Sequence, residues 1–257
     1  MKITLIAIPL LLLGCENNQK EKTDLTEMNL IGEVKQFQEI DYDAIEKFGE
    51  VVKGEQDGFI KESYFNEQGA ETATYWYEFD RNQGYRFEII NDQDGNKLEE
   101  RDFGLDNKLS SIVKYTYDDN WNLIEENSYN DDGSLFRRHK YEIDNKGNVI
   151  KSNEYDQAGI LITSNIYTYD ENNNKVEWAE YDSNGKLEIK SNYKYDKQNN
   201  IIEINTDFPE LENSFGRIGT TYYNYEYDKR GNWIKRIEFV GTGKKAKKIT
   251  YRTITYY

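Results

Sequence analysis

One short pattern recurs through residues 65–240 and limits what the chain can fold into. It runs aromatic, Asp, two polar residues, Gly or Asn, a polar residue, then an aliphatic. Tyr115-Thr116-Tyr117-Asp118 returns as Tyr141-Glu142-Ile143-Asp144, Tyr167-Thr168-Tyr169-Asp170 and Tyr193-Lys194-Tyr195-Asp196, each 26 residues after the last. A period of this size marks a repeat architecture in which each unit buries its face against its neighbours. The fifth position is Gly69, Gly95, Gly133, Gly147, Gly159, Gly185 or Gly231, and Asn at 107, 173 and 199. Gly and Asn are the residues that accept a left-handed backbone. The Asp ahead of them bonds backbone N–H groups, so each copy reads as a hairpin loop, a type I turn closed by a bulge. Trp121 breaks the rule by placing a large side chain at a loop tip.

Between loops there is room for one strand of about seven to ten residues. Leu187, Ile189, Ser191, Tyr193 and Tyr195 share one face, opposite Lys186, Glu188, Lys190, Asn192 and Lys194. Such period-two patterning means antiparallel strands joined as a meander. Seven tyrosines (115, 117, 141, 167, 169, 193 and 195) fall on this face. At about 150–250 Å² each, they are too much aromatic surface for a flat, bare sheet to leave in water. The expected fold is therefore all-β: an elongated, twisted or half-rolled antiparallel β-meander built from 26-residue, two-strand repeats over 65–257. An irregular insertion at 205–219 holds Pro209, which cannot donate to a ladder. Residues 29–64 read as strands preceding the repeats, with Leu30 to Tyr42 extended and Asp43 to Lys47 a single helical turn. The basic run Lys244 to Lys248 reads as a solvated turn.

The N-terminus has a different logic. Ile3 to Leu13 is an apolar run behind Lys2, too short to span a bilayer as a helix. With Leu12-Leu13-Gly14-Cys15 it resembles a bacterial lipoprotein signal, 1–14, cut before a Cys that carries the lipid. That resemblance implies an anchor at Cys15, a flexible tether over 15–28, and a place in the bacterial envelope, at the outer membrane.

Composition narrows the functional classes. The net charge of −15 disfavours nucleic acid, which wants a basic footprint. Cys15 is the only cysteine and His139 the only histidine, so a zinc cluster, a disulfide framework and a Cys nucleophile are excluded and a Ser-His-Asp triad is disfavoured. His139 shares the parity of Leu135 and Tyr141 and reads as a packed residue. Loop acids such as Asp92 to Gly95 and Asn130 to Gly133 do not follow the spaced calcium-loop pattern, and turn chemistry accounts for them.

The unit Tyr-x-Tyr-Asp-x-x-Gly-Asn-x-Ile, seen at Tyr225 to Ile234, resembles the RHS, or YD, repeat of bacterial surface and toxin-delivery proteins. The resemblance covers Phe65 to Val240 and implies strand-turn-strand units in a long, coiling sheet. The chain departs from that family in three respects. Asn or Lys mostly stands where an Arg often follows the Gly, the chain is too short to enclose a cargo, and no toxin domain follows the repeats. It is more similar to small lipid-anchored repeat proteins.

The expected role is a membrane-anchored envelope protein that binds or scaffolds another protein, with no catalysis, cofactor or metal. Strand addition at unpaired sheet edges is the expected mode. The candidate partner-binding residues are Trp121 and Tyr115, Tyr117, Tyr141, Tyr167, Tyr169, Tyr193 and Tyr195. A polysaccharide ligand stacked on Trp121, Trp178 and Trp233 is the alternative, and a purely structural spacer a third.

Overall fold

The repeat turns close as their residue types require. In the computed structural model, which describes residues 23–78, 84–209 and 218–257, the 144–148 loop is representative. The Asp144 N–H donates to Asn148 O (2.9 Å), and the Gly147 N–H donates back to Asp144 O (3.2 Å). Asp144 Oδ1 accepts the N–H groups of Lys146 and Asn148, both at 2.8 Å. Gly147 is left-handed at φ 81°, and Asn173 and Asn199 follow at 63° and 60°.

These turns join sixteen antiparallel strands in sequence order. They are β1 (Val34–Lys47), β2 (Glu50–Phe65), β3 (Glu71–Tyr77), β4 (Gly84–Asn91), β5 (Lys97–Phe103), β6 (Leu109–Tyr117), β7 (Leu123–Asn130) and β8 (Leu135–Ile143). The second half comprises β9 (Val149–Asp156), β10 (Leu161–Tyr169), β11 (Lys175–Asp182), β12 (Leu187–Tyr195), β13 (Ile201–Asp207), β14 (Ile218–Tyr227), β15 (Trp233–Val240) and β16 (Lys245–Tyr256).

The all-β meander is as expected, but the sheet is neither open nor half-rolled. β1 pairs with β16 from Gln36↔Thr255 to Asp43↔Lys248, and the meander closes into a barrel. Closure removes the sheet edges and turns the aromatic face inward, which answers the excess of aromatic surface. Three local expectations change with it. Asp43 to Lys47 is strand, because Ala44 to Lys47 pair with Lys53 to Glu50, and a lone helical turn has little to hold it. Lys245 to Lys248 belong to β16 rather than to a turn. The ladder also enters the 205–219 stretch from both sides, with Asn205↔Thr220 and Asp207↔Ile218.

An antiparallel meander puts alternate loops at opposite ends. The loops at 66–70, 92–96, 118–122, 144–148, 170–174, 196–200 and 228–232 share one end. Residues 23–33 lie across it and cap it. Cys15, the leader and the tether up to residue 22 lie outside the described residues, whereas Asp24–Glu27, expected as tether, is the helix α1. Thr23 caps it, accepting the Thr26 N–H at 3.3 Å while its own N–H donates to Thr26 Oγ1 at 2.9 Å.

The cap is pinned at both sides of the mouth. On one side the Leu25 N–H donates to Gly69 O (3.3 Å) and the Glu71 N–H donates to Asp24 Oδ2 (2.7 Å). On the other, Asn29 Nδ2 donates to Gln198 O (2.7 Å), and Ile31 exchanges two 2.8 Å hydrogen bonds with the Asn232 amide. Leu25 and Leu30 pack with Val34, Phe37 and Phe65 in a buried apolar cluster, with Met28, Ile254 and Tyr256 against it. This cluster lies beneath the cap, and the lumenal wall beyond it is aromatic and polar. Sixteen strands make a ring wide enough to hold water.

Candidate functional site: the lumenal wall and a long hairpin

Strand parity places the predicted tyrosines on the inner wall, and hydrogen bonding sorts them into two rows. In the row nearer the cap, Tyr117 Oη donates to Lys97 O (2.8 Å), Tyr169 Oη to Val149 O (2.8 Å) and Tyr195 Oη to Lys175 O (2.7 Å). Each phenol thus staples its strand to the one before it, and burial pushes all three up to about 12. The deeper row is Tyr115, Tyr141, Tyr167 and Tyr193. Tyr167 Oη shares a 3.1 Å hydrogen bond with Ser152 Oγ. Burial first, and then the charge of Glu126, raise Tyr141. None of the seven stands on an outer face that a folded partner can cover.

The three tryptophans proposed as platforms also separate. Trp121 is 56 % exposed at its turn, left-handed at φ 60°, with its ring 5.9 Å from that of Tyr117. Trp178 faces the lumen and donates to Asn165 Oδ1 at 2.7 Å. Trp233 is 7 % exposed, with the Arg252 guanidinium 3.5 Å over its ring, so it offers no free stacking face.

The lumenal wall carries charge unevenly. Glu100 and Asp102 on β5, Glu126 on β7 and Glu154 on β9 face inward. His139 stands opposite Glu126 in the ladder, and Arg137 holds Glu154 at 2.8 Å. Burial, then the neighbouring Asp102 charge, raise Glu100 to about 7, with Lys97 opposing. Across the ring, β2, β15 and β16 supply Lys61, Arg236, Lys248 and Arg252, interleaved with Glu39 and Asp41 of β1 and Glu238 of β15. Among the described residues, no group of three or more His, Cys, Asp or Glu side chains is placed to hold a metal ion.

A second feature, missed from sequence, lies at the far end. The β1–β2 hairpin outruns its neighbours in the ladder. Pairing with β16 stops at Asp43↔Lys248, and pairing with β3 begins only at Ile60↔Tyr77. The ribbon between bends at two register shifts, near Gly58 and Gly54. A Cβ on Gly54 would stand 2.7 Å from Ile45 Cδ1, so any larger residue here would have to push the Ile45 side chain aside. The base packs on the barrel, with Tyr42 edge-on to Tyr251 (5.8 Å) and Lys53 4.4 Å over Tyr42. The tip, Phe48-Gly49, is a two-residue turn with both residues left-handed, at φ 54° and 83°. Phe48 is fully exposed, at 107 %. An aromatic residue at positive φ is an outlier, since such a turn favours Asn-Gly. The sequence signal was there: a Gly two residues into a break between extended runs.

No family model and no curated protein matches the chain. Among solved structures, the chain is similar to a porin-like protein from Bacteroides uniformis, at 12 % identity and a TM-score of 0.41, covering 86 % of this chain and 98 % of that one. It is also similar to a chain of the Photorhabdus luminescens Tc holotoxin pore, at 13 % identity and TM-score 0.35, over 80 % of this chain and 13 % of that one. A putative outer membrane lipoprotein-sorting protein domain from Vibrio parahaemolyticus gives 7 % identity and TM-score 0.28, with 86 % of each covered. Likenesses this loose carry no argument about function.

Proposed function

We propose that the protein is a lipid-anchored protein of the bacterial envelope, at the outer membrane, that binds or scaffolds another protein and catalyses no reaction. The observation that carries this reading is the bent β1–β2 ribbon, whose fully exposed Phe48 is held in a left-handed turn. An exposed aromatic at a strained tip costs stability, and a partner pocket that receives it offsets that cost. The edge of β2 from Glu50 to Phe59, unpaired on the β3 side among the described residues, adds strand-addition capacity that the closed barrel lacks. The ribbon stands at the end of the barrel opposite the cap formed by residues 23–33, which follow Cys15 in the sequence. Retention of envelope proteins on the full chain in detergent, read by mass spectrometry, tests this. One protein retained near stoichiometry is expected, with at least tenfold loss in Phe48→Ser. Equal retention by a Phe48→Ser chain of unchanged melting temperature defeats the ribbon as the docking element.

A second reading, a polysaccharide ligand, is favoured by Trp178 and the deeper tyrosine row, which line a water-wide lumen with rings beside Asn and Ser groups. Tryptophan fluorescence titrated with envelope polysaccharides checks it, and a flat titration removes it.

A further inference from the structure

Two lumenal arginines stand where the wall does not supply the acceptors they need. Arg252 on β16 is opposite Glu39 on β1, and its side chain is 8 % exposed. Its Nε donates to Glu39 Oε1 at 2.8 Å, and its Nη2 donates to the same oxygen. The guanidinium faces are taken by rings, Trp233 at 3.5 Å and Phe37 at 4.9 Å. Rings satisfy the faces of the cation but not its in-plane hydrogens. Nη1 is buried and has no hydrogen-bond partner. Buried polar groups without partners are uncommon, and each asks for a reason.

The neighbouring cation is Arg236 on β15, opposite both Tyr225 and Thr250. It leans over Trp233 (5.2 Å) and Tyr223 (5.5 Å), and its Nη2 donates to Thr250 Oγ1 at a long 3.3 Å. Of the nearby acids, Asp41 is engaged by Lys248 and Thr250. Glu238 lies two residues from Arg236 on the same face, opposite Lys248 in the ladder. The two guanidinium groups are close enough to feel each other's charge. Of the two guanidinium groups only Arg252 has a carboxylate as its hydrogen-bond partner, and Arg236 has a single long bond to a hydroxyl, so the pair keeps donors free.

We propose that Arg236 and Arg252 form a lumenal site for an oxyanion, a carboxylate or phosphate group, carried on a ligand slender enough to enter the barrel. The planar forks of two arginines match the oxygens of such a group, and Tyr223 and Trp233 flank the position it takes. The site lies inside the barrel and is independent of the Phe48 ribbon.

Intrinsic tryptophan fluorescence reports on it directly, because Trp233 is part of the wall. The full chain in detergent is titrated at constant ionic strength with inorganic phosphate, with trigalacturonate and with a neutral trisaccharide. Phosphate and trigalacturonate are expected to give saturable changes, and the neutral sugar none. Arg236→Gln is expected to weaken both at least tenfold. Arg252→Lys, which keeps a charge for Glu39 but removes the spare nitrogen, weakens them as well. Tighter trigalacturonate than phosphate identifies a sugar acid as the ligand class, and the reverse order a phosphate-bearing one. No saturation by either anion, or binding unchanged in a folded Arg236→Gln chain, overturns the site.

Discussion

At the scale of single residues, the turn positions show chemistry and function pulling apart. Asn173, Asn199 and Gly147 occupy left-handed positions that their residue types tolerate, while Trp121 holds the equivalent place at φ 60°. A left-handed backbone costs a residue with a Cβ about 1–2 kcal/mol, and Asn least of those. Against this stands the ring contact between Trp121 and Tyr117, of a kind that contributes about 0.5–1.5 kcal/mol. Because Trp121 is more than half exposed, the strain outweighs the contact. Trp121→Asn is therefore expected to raise stability by about 0.5–1 kcal/mol in urea unfolding. A loss would mean that the Tyr117 contact, and not an outside partner, is what Trp121 serves. The turn itself was legible in the sequence, because Asp and Gly act within five residues. The division of the tyrosines was not. Tyr167 and Tyr169 sit two residues apart with the same parity, yet only Tyr169 reaches a backbone carbonyl across the ladder, and that depends on register rather than on spacing.

At the scale of elements, the closure and the cap are what the sequence concealed. The period announces neighbouring strands, but the β1–β16 seam joins Val34 to Tyr256, and no local pattern encodes a pairing over that separation. Likewise Leu25 stands in a polar stretch without periodicity and reads as tether, while Leu30 reads as the start of a strand, so neither is legible as part of a cap. In the structure they are 8 % and 6 % exposed. With the other wall residues facing water or one another, the cap supplies much of the barrel's tightly packed apolar core. Leu30→Ala is accordingly expected to cost about 2–4 kcal/mol of unfolding free energy, the range for emptying a buried leucine site. Ile160→Ala, at a turn where the side chain is 64 % exposed, should change stability by under about 0.5 kcal/mol. Equal effects of the two would show that the cap is not part of the cooperative fold.

At the scale of the whole molecule, the arrangement of charge decides what the barrel can face. A closed ring of sixteen antiparallel strands is also the architecture of outer-membrane channels, which present an apolar band to lipid. Here the outer wall is laced with ion pairs, Lys194–Glu203 at 2.8 Å, Lys235–Glu226 at 2.7 Å and Lys151–Glu142 at 3.1 Å. Such residues at a bilayer midplane cost about 2–4 kcal/mol for each cation, so this wall faces water. The acids that remain inside set the pH response. Burial first, then the charge of Asp102, lift Glu100 from 4.5 to about 7, and burial also raises Glu126 and Asp24. Between those values the folded chain holds a proton that the unfolded chain has released, so stability falls as pH rises from about 4.5 to about 7. Glu100 alone contributes about 1–2 kcal/mol to this fall once lumenal water screens it. The turn carboxylates act in the opposite sense. Hydrogen bonds from Asn96, Asn122 and Lys186 hold Asp92, Asp118 and Asp182 below the usual range. Their contribution is present above about pH 4 and is lost as the pH drops through their lowered values. The two trends oppose each other, and chemical unfolding from pH 3 to 8 should show a maximum near pH 4–5, with a decline toward neutrality that Glu100→Gln flattens. A profile that climbs steadily to pH 7 in the unmutated chain would mean that the lumenal carboxyls are fully hydrated and that the inner wall is not the low-dielectric surface the buried Glu100 requires.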